Sequence, residues 1–291
     1  MTEFRNEASE APRFQAAWRW EVARARSAKA VLWLASLGVV AHVIATFGVA
    51  GFLGFDGAVN TPYAAADVAR MVTVVPQVLP LVAALCAVLL VAADYRHAGA
   101  WALTCLLFPQ RWIAGAAKVA VAAALGLVIA VVGVLASALA VVSVYNPRGP
   151  AVGASVLVPV AIGQIGTTVA WALIGALVTL AIRSSVGGVV TVLVMAWVVE
   201  PAVRAITVVA GHGWWSPLQY GLPFGAASGL TSTTAPSDAF PGNPLGPWWS
   251  LAVVLCWVAV LATVAYRSTI DTGGERRSLQ VIPDAKVSSP A

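Results

Sequence analysis

Long apolar stretches, nearly free of charge, alternate with short polar connections along most of this chain. They fall at about 30–55, 72–93, 117–144, 155–182, 186–206 and 247–266. A helix needs roughly 20 apolar residues to cross a bilayer, so this pattern predicts six membrane-spanning helices. Two polar-rich segments carry a different pattern. In 13–29, Phe14, Trp18 and Val22 are spaced i, i+4, i+8 and share one helix face, while Arg13, Arg19, Arg24, Arg26 and Lys29 crowd the remainder. Such a helix suits a membrane surface, with rings at the acyl boundary and charges on headgroups; the alternative is a solvated juxtamembrane helix. The second segment, between Asp94 and Lys118, is amphipathic too. Trp101, Leu103, Leu106, Leu107 and Phe108 can turn toward membrane or partner, and Asp94, Arg96, His97, Arg111 and Lys118 are expected in water. Asp94 is a candidate N-cap and Pro109 a stop, which predicts a short helix lying flat as a docking element for a soluble partner.

Composition removes the competing classes. Of 291 residues, 60% are apolar and 10% charged, and the mean hydropathy is +0.86. A soluble domain carries about 25% charged residues and could not hide this much apolar surface. A disordered chain is excluded for the same reason. Cys86, Cys105 and Cys256 form no C-x-x-C pair and read as small hydrophobes rather than a disulfide frame or metal site. None of Lys29, Lys118 and Lys286 follows a glycine, so the chain has no Walker A phosphate loop. The polar opening, residues 1–12, lacks the pattern of a cleavable signal peptide.

Basic residues set the orientation. With the N-terminus in the cytoplasm, 14 Lys and Arg flank the spans on the inside and only 3 (Arg70, Arg148, Arg204) on the outside. Six spans then return the C-terminus inside. The domain reading is a cytoplasmic N-terminus with an interfacial helix (1–29), a six-span domain (30–266) and a polar cytoplasmic tail (267–291). The long outer segment, about 207–246, is bordered by Trp214, Trp215, Trp248 and Trp249, which fit an aromatic belt. No internal repeat suggests an inverted-repeat carrier.

Candidate chemistry is sparse. An ionisable residue at mid-membrane costs ~2.5–3.5 kcal/mol on insertion scales, so those present invite attention. His42 lies in the first span, and its separation from His97 and His212 argues against a haem or metal site. Glu200-Pro201 interrupts the fifth span, because proline disfavours helical geometry in the residue before it. Two readings stay open: a re-entrant turn near the outer end of a pathway, or the plain end of the span with Glu200 and Arg204 paired at i, i+4. In the fourth span, Gln164, Thr167 and Thr168 sit among Gly163, Gly166 and Gly175, as expected for close helix packing and also for a substrate path. The Gly225–Gly229 run, GAASG, reads as a loop.

Three patches carry a resemblance. Trp20-Glu21, then Arg24, Arg26, Ser27, Lys29 and Trp33, resemble the "E-W-x-K-x-R-S" elbow of ABC-2 type exporter permeases, with Trp and Glu exchanged. Asp94-Tyr95-Arg96-His97, then Pro109, Arg111 and Lys118, are similar to that family's "E-Y-R-x-G-T … P-x-R … A-K" stretch, with Asp for Glu and Ala98-Gly99 for Gly-Thr. Glu200-Pro201, Leu222-Pro223 and Gly246-Pro247-Trp248 match its E-P, L-P and P-W steps. The resemblance implies an all-α membrane protein: a six-helix bundle with an N-terminal elbow helix, a cytoplasmic coupling helix and an outer re-entrant segment. It further implies a permease subunit of the cell membrane that pairs with a second copy or a sister permease, and that binds a separate ATP-binding cassette subunit holding ATP and magnesium. The chain itself would be no enzyme, would hold no cofactor and would contact no nucleic acid. Glu21, Arg24, Asp94, Tyr95, Arg96, His97, Pro109, Arg111 and Lys118 would couple to the ATPase. Gln164, Thr167, Thr168, Glu200, Pro201 and Pro223 would line the pathway or outer gate. The rival expectations are an ion-coupled carrier using Glu200 and a non-transporting membrane scaffold.

Overall fold

The computed structural model describes residues 10–59, 72, 77–96, 104, 106–108, 110–145, 153–209, 218–231 and 246–279, and nearly all of these are helical, with no strand among them. The helices are α1 (Glu10–Ser27), α2 (Lys29–Val59), α3 (Val78–Arg96), α4 (Arg111–Tyr145), α5 (Ala154–Ile182), α6 (Ser185–Val194), α7 (Glu200–Val209), α8 (Leu218–Gly221), α9 (Pro223–Leu230) and α10 (Gly246–Leu279), with a π-helical turn (Met195–Val199) joining α6 to α7. Among the described residues, six segments are long and apolar enough to cross a membrane: Lys29–Phe52, Val78–Tyr95, Arg111–Val144, Leu157–Ile182, Ser185–Thr207 and Gly246–Thr269. The chain therefore has the build of a multi-pass membrane protein.

The expected spans are all present, and two begin elsewhere. α3 starts at Val78 rather than near 72, after the proline at 76. α4 starts at Arg111 rather than 117, and so includes Lys118 in its second turn. The charge of Lys118, close to the start of the expected 117–144 span, is met by a neutralising cluster described below. α10 also runs past the expected boundary at 267, as far as Leu279. The connections expected at 56–71 and 145–154, Trp214 and Trp215, and the tail beyond Leu279 lie wholly or partly outside the described residues.

α3 and α5 form the middle of the bundle. Their spans are the most buried, 61% and 67%, against 17% for the α10 span. α4 packs on both, α2 leans on α4 and α3, α10 lies along α5, and α1 rests on α4. The core is built from small and β-branched side chains such as Ala83, Ala87, Val91, Ala172 and Ala176. Between apolar helices in lipid, close backbone approach and dispersion replace the hydrophobic drive, so small residues gather where helices cross. Gly175 shows the limit: a Cβ there would come within 2.5 Å of the Ala84 carbonyl oxygen on α3. Large residues face outward instead, among them Trp33, Leu37, Ile44, Phe47 and Phe52 along α2, as a lipid-facing surface requires.

The ends of the bundle differ. One, here the near end, carries α1, the end of α3, the start of α4 and the α5–α6 joint. The other, the far end, carries α7, α8, α9 and the start of α10, where Trp248 and Trp249 are exposed.

Gly175→Ala is expected to lower stability by about 1–3 kcal/mol through overpacking against backbone. Gly48→Ala, where a Cβ meets nothing within 4 Å, should be neutral or slightly stabilising, since alanine favours helix over glycine. Unfolding in mixed micelles by denaturant titration distinguishes the two.

Candidate functional site

Two polar constellations stand out against the apolar bundle, one at each end. The near one begins with the seating of α1. Ala17 packs with Ile113 and Ala117 of α4, flanked by Phe14 and Phe108. A small residue at 17 lets the helix axes approach, and Glu21, one turn on, therefore points into the same interface. The buried face of α1 is thus Ala17 and Glu21. The expected stripe through Phe14, Trp18 and Val22 is only half-buried. Helical periodicity located the amphipathic helix but set its buried face about one position away, because an alanine and a charged residue do not score as an apolar stripe.

Glu21 meets three other expected coupling residues there. Lys118 Nζ donates to Glu21 Oε1 at 2.7 Å and is also paired with Asp94 Oδ2. Arg24 contacts Glu21 Oε2 at 3.0 Å and pairs with Asp94 Oδ1. A further N–H of Arg24 donates to the Leu90 carbonyl at 3.2 Å. Each acid touches both bases and each base both acids, so four residues from α1, α3 and α4 close a ring with no net charge. Glu21, Asp94 and Lys118 are 2%, 3% and 1% exposed. The expectation that Asp94 and Lys118 sit in water is overturned: desolvation is tolerated because every charge is paired. Asp94 is also no N-cap; it lies in the last turn of α3.

The remaining coupling residues are more dispersed. Arg111 opens α4 and is half-buried. Tyr95 packs on the main core. Arg96 ends α3. His97 and Pro109 lie outside the described residues, as does most of the expected short helix. Of that segment, Phe108 donates its N–H to the Thr104 carbonyl at 2.9 Å, closing one helical turn. Leu106 and Leu107 are 80% and 53% exposed on it.

At the far end, Glu200 organises a second constellation. The chain does not break at Glu200-Pro201; it stays helical through both residues and to Val209. The π turn before them absorbs the proline, with the Glu200 N–H donating to the Met195 carbonyl five residues back. In a regular α-helix the Pro201 ring would collide with the carbonyl four residues earlier, and widening the turn relieves that contact. Both open readings are therefore corrected: the chain neither turns back at Glu200-Pro201 nor ends the fifth span there. Its carboxylate turns to α9: Oε1 accepts the Phe224 N–H at 2.6 Å and Oε2 the Gly225 N–H at 3.0 Å. Leu222 holds the N-cap position of α9 in extended conformation and has no side chain to cap it. Glu200 supplies the cap from another helix, with its charge at the positive end of the α9 dipole.

α9 contains the run expected as a loop, Gly225–Gly229, and buries nearly all of it. Pro223 at its first turn was the legible start signal, since proline suits the first helical position. α5 forms its bed. Phe224 stacks on Trp171 with ring centroids 3.5 Å apart. Thr167 Oγ1 donates to the Ala227 carbonyl at 3.1 Å. A Cβ on Gly163 would lie 2.0 Å from the Leu230 carbonyl oxygen, so only glycine admits the end of α9 there. Trp257 Nε1 of α10 donates to the Gly221 carbonyl at 2.8 Å. Of the expected pathway residues, Thr167, Glu200 and Pro223 thus converge on α9. Thr168 instead donates to the Gln164 carbonyl of its own helix at 2.8 Å, and Gln164 is fully buried. Trp171, Phe224 and Trp257 were not singled out in the sequence, where apolar aromatics in spans carry no distinguishing pattern.

No family model, no curated protein and no solved structure matches this chain.

Lys118→Met should cost about 3–5 kcal/mol, because it strands Glu21 and Asp94 around a single base. Adding Glu21→Gln to it should restore much of that loss, which a double-mutant thermal unfolding cycle would measure. Glu200→Gln keeps one acceptor oxygen for two N–H donors and should cost ~1–3 kcal/mol. Hydrogen exchange should show that loss as faster exchange confined to 223–230.

Proposed function

We propose that this chain is the membrane permease subunit of an exporter driven by ATP hydrolysis in a separate subunit. The observation that carries the reading is the closed ring of Glu21, Arg24, Asp94 and Lys118. It joins α1 to the ends of two spans, so a force applied to that end moves three helices together rather than bending one. A lever of this kind has a use when the energy source lies outside the chain, and the chain has no phosphate loop of its own. The likeness of these same residues to the ABC-2 elbow and coupling stretch supports the same reading.

In this reading the near end faces the cytoplasm, in keeping with the basic flanks. The exposed Leu106 and Leu107 form part of the docking face for the ATPase, which holds ATP and magnesium. α9, clamped by Glu200 and bedded on Trp171, acts as the outer closure, a re-entrant element that yields when the bundle switches state. Two permease chains complete the transporter. The ion-coupled carrier is less well supported: both carboxylate oxygens of Glu200, the acid it needs, already accept backbone N–H groups.

Tagged chain reconstituted in nanodiscs should retain an ATP-hydrolysing protein from its own cells. Leu106→Asp with Leu107→Asp should release that protein without moving the thermal midpoint, and Arg111→Ala should keep the complex while separating hydrolysis from transport. A chain that retains no ATPase, with transport that survives ATP depletion and collapses with an uncoupler, would make the carrier the correct reading.

A further inference from the structure

A cavity of about 410 Å³ opens between α4, α5 and α10 at the near end. Its wall on α4 runs from Trp112 to Ala120, about 12 Å at the helical rise. Its depth comes from small residues, chiefly Gly115, Ala116, Ala262 and Ala265. A Cβ added to Gly115 would meet nothing within 4 Å, so the space beside it is unfilled by the chain. Thr269 brings a hydroxyl to the lining, and that hydroxyl donates to the Tyr266 carbonyl at 2.6 Å. The groove is thus apolar and elongated.

Its polar features are gathered at the end nearer the helix termini. Trp112 and Tyr266, 44% and 54% exposed, line it from two helices. Amphipathic rings of this kind mark the headgroup depth of a bilayer. Arg183 lies beside the groove. It follows the groove residue Leu180 at the C-terminus of α5, and its guanidinium donates to the carbonyl of Ser268, which adjoins the groove residue Thr269. Ser268 Oγ in turn donates to the Leu180 carbonyl at 3.4 Å. A guanidinium has five N–H donors, and Ser268 takes one.

The backbone at Arg183 is informative as well. Its φ of 58° makes it the one non-glycine residue with positive φ among the described residues. This is the helix-ending position where glycine or asparagine is usual. Arginine there carries strain that glycine would avoid, which directs attention to its side chain.

We propose that this groove seats an acyl chain of an anionic phospholipid, with the phosphate on Arg183. The order of features along the groove matches the order of parts in the lipid: cation, aromatic rim, then apolar slot. A helix from a second copy packed on the small residues is the competing occupant, and the test below separates it from a lipid. The proposal needs only that the bundle lies in a membrane, and it is independent of the exporter reading.

The test is native mass spectrometry of the full chain released from nanodiscs of equal palmitoyl-oleoyl phosphatidylglycerol and phosphatidylcholine. Wild type should retain phosphatidylglycerol in preference by about fivefold or more, the worth of one basic residue at an anionic headgroup. Arg183→Asn, which suits the left-handed backbone, should bring the two lipids to parity, and Arg183→Lys should keep most of the preference. Gly115→Leu should fill the slot and abolish retention of either lipid; if that variant fails to fold, Ala116→Val serves the same purpose. Equal retention of the two lipids by wild type, or a preference unchanged in Arg183→Asn, would overturn the proposal. A lipid-free homodimer that Gly115→Leu dissociates would overturn it too, making the groove a contact between copies.

Discussion

Four paired charges at one end of an apolar bundle, three of them buried, constrain everything around them. Glu21, Arg24, Asp94 and Lys118 come from three helices and are separated by as many as 97 positions in the chain. Glu21, Asp94 and Lys118 could not be left alone there, since an uncompensated buried charge costs several kcal/mol. Together they form alternating acid and base with no net charge. The constraint acts less as a source of stability than as a condition on geometry. A well-packed apolar core could be as stable, but it would tolerate sliding and rotation of α1 on α4. A closed ionic ring has essentially one arrangement in which all four groups are paired. It therefore fixes the seat of α1, which the small Ala17 contact permits but does not enforce.

That condition also explains where the sequence could be read and where it could not. The six spans are visible because length and hydropathy are properties of contiguous residues, and each expected span has its helix. α4 begins at Arg111 rather than 117, and the charge of Lys118, costly when read in a local window, is cancelled in three dimensions. Glu21, Arg24, Asp94 and Lys118 were all nominated as members of short motifs, yet no spacing in one sequence says that they touch. The same holds at Glu200. Proline at 201 signals an irregularity, and one exists, but its form, a π turn within a continuous helix, depends on neighbours that hold both sides in line. The Gly225–Gly229 run reads as loop because glycine and serine disfavour an isolated helix; α9 forms because Glu200 caps it and Trp171 and Gly163 give it a surface to pack on.

The two ends are held by different chemistry, and the difference bears on how each can move. At the near end, opposite side-chain charges face one another, and opening the ring would unpair four ions at once, three of them buried. At the far end, one carboxylate meets two backbone N–H groups of a single short helix. Releasing α9 would free one acid and two amides, a smaller loss than four paired ions. The cost of opening is therefore lower at the far end. If the bundle alternates between two states, the near end has the character of the part that moves as a unit, and α9 that of the part that parts from its neighbours. Gly163 agrees with this division: a backbone-to-backbone contact with no interposed side chain can separate and re-form without any rotamer having to find its place again.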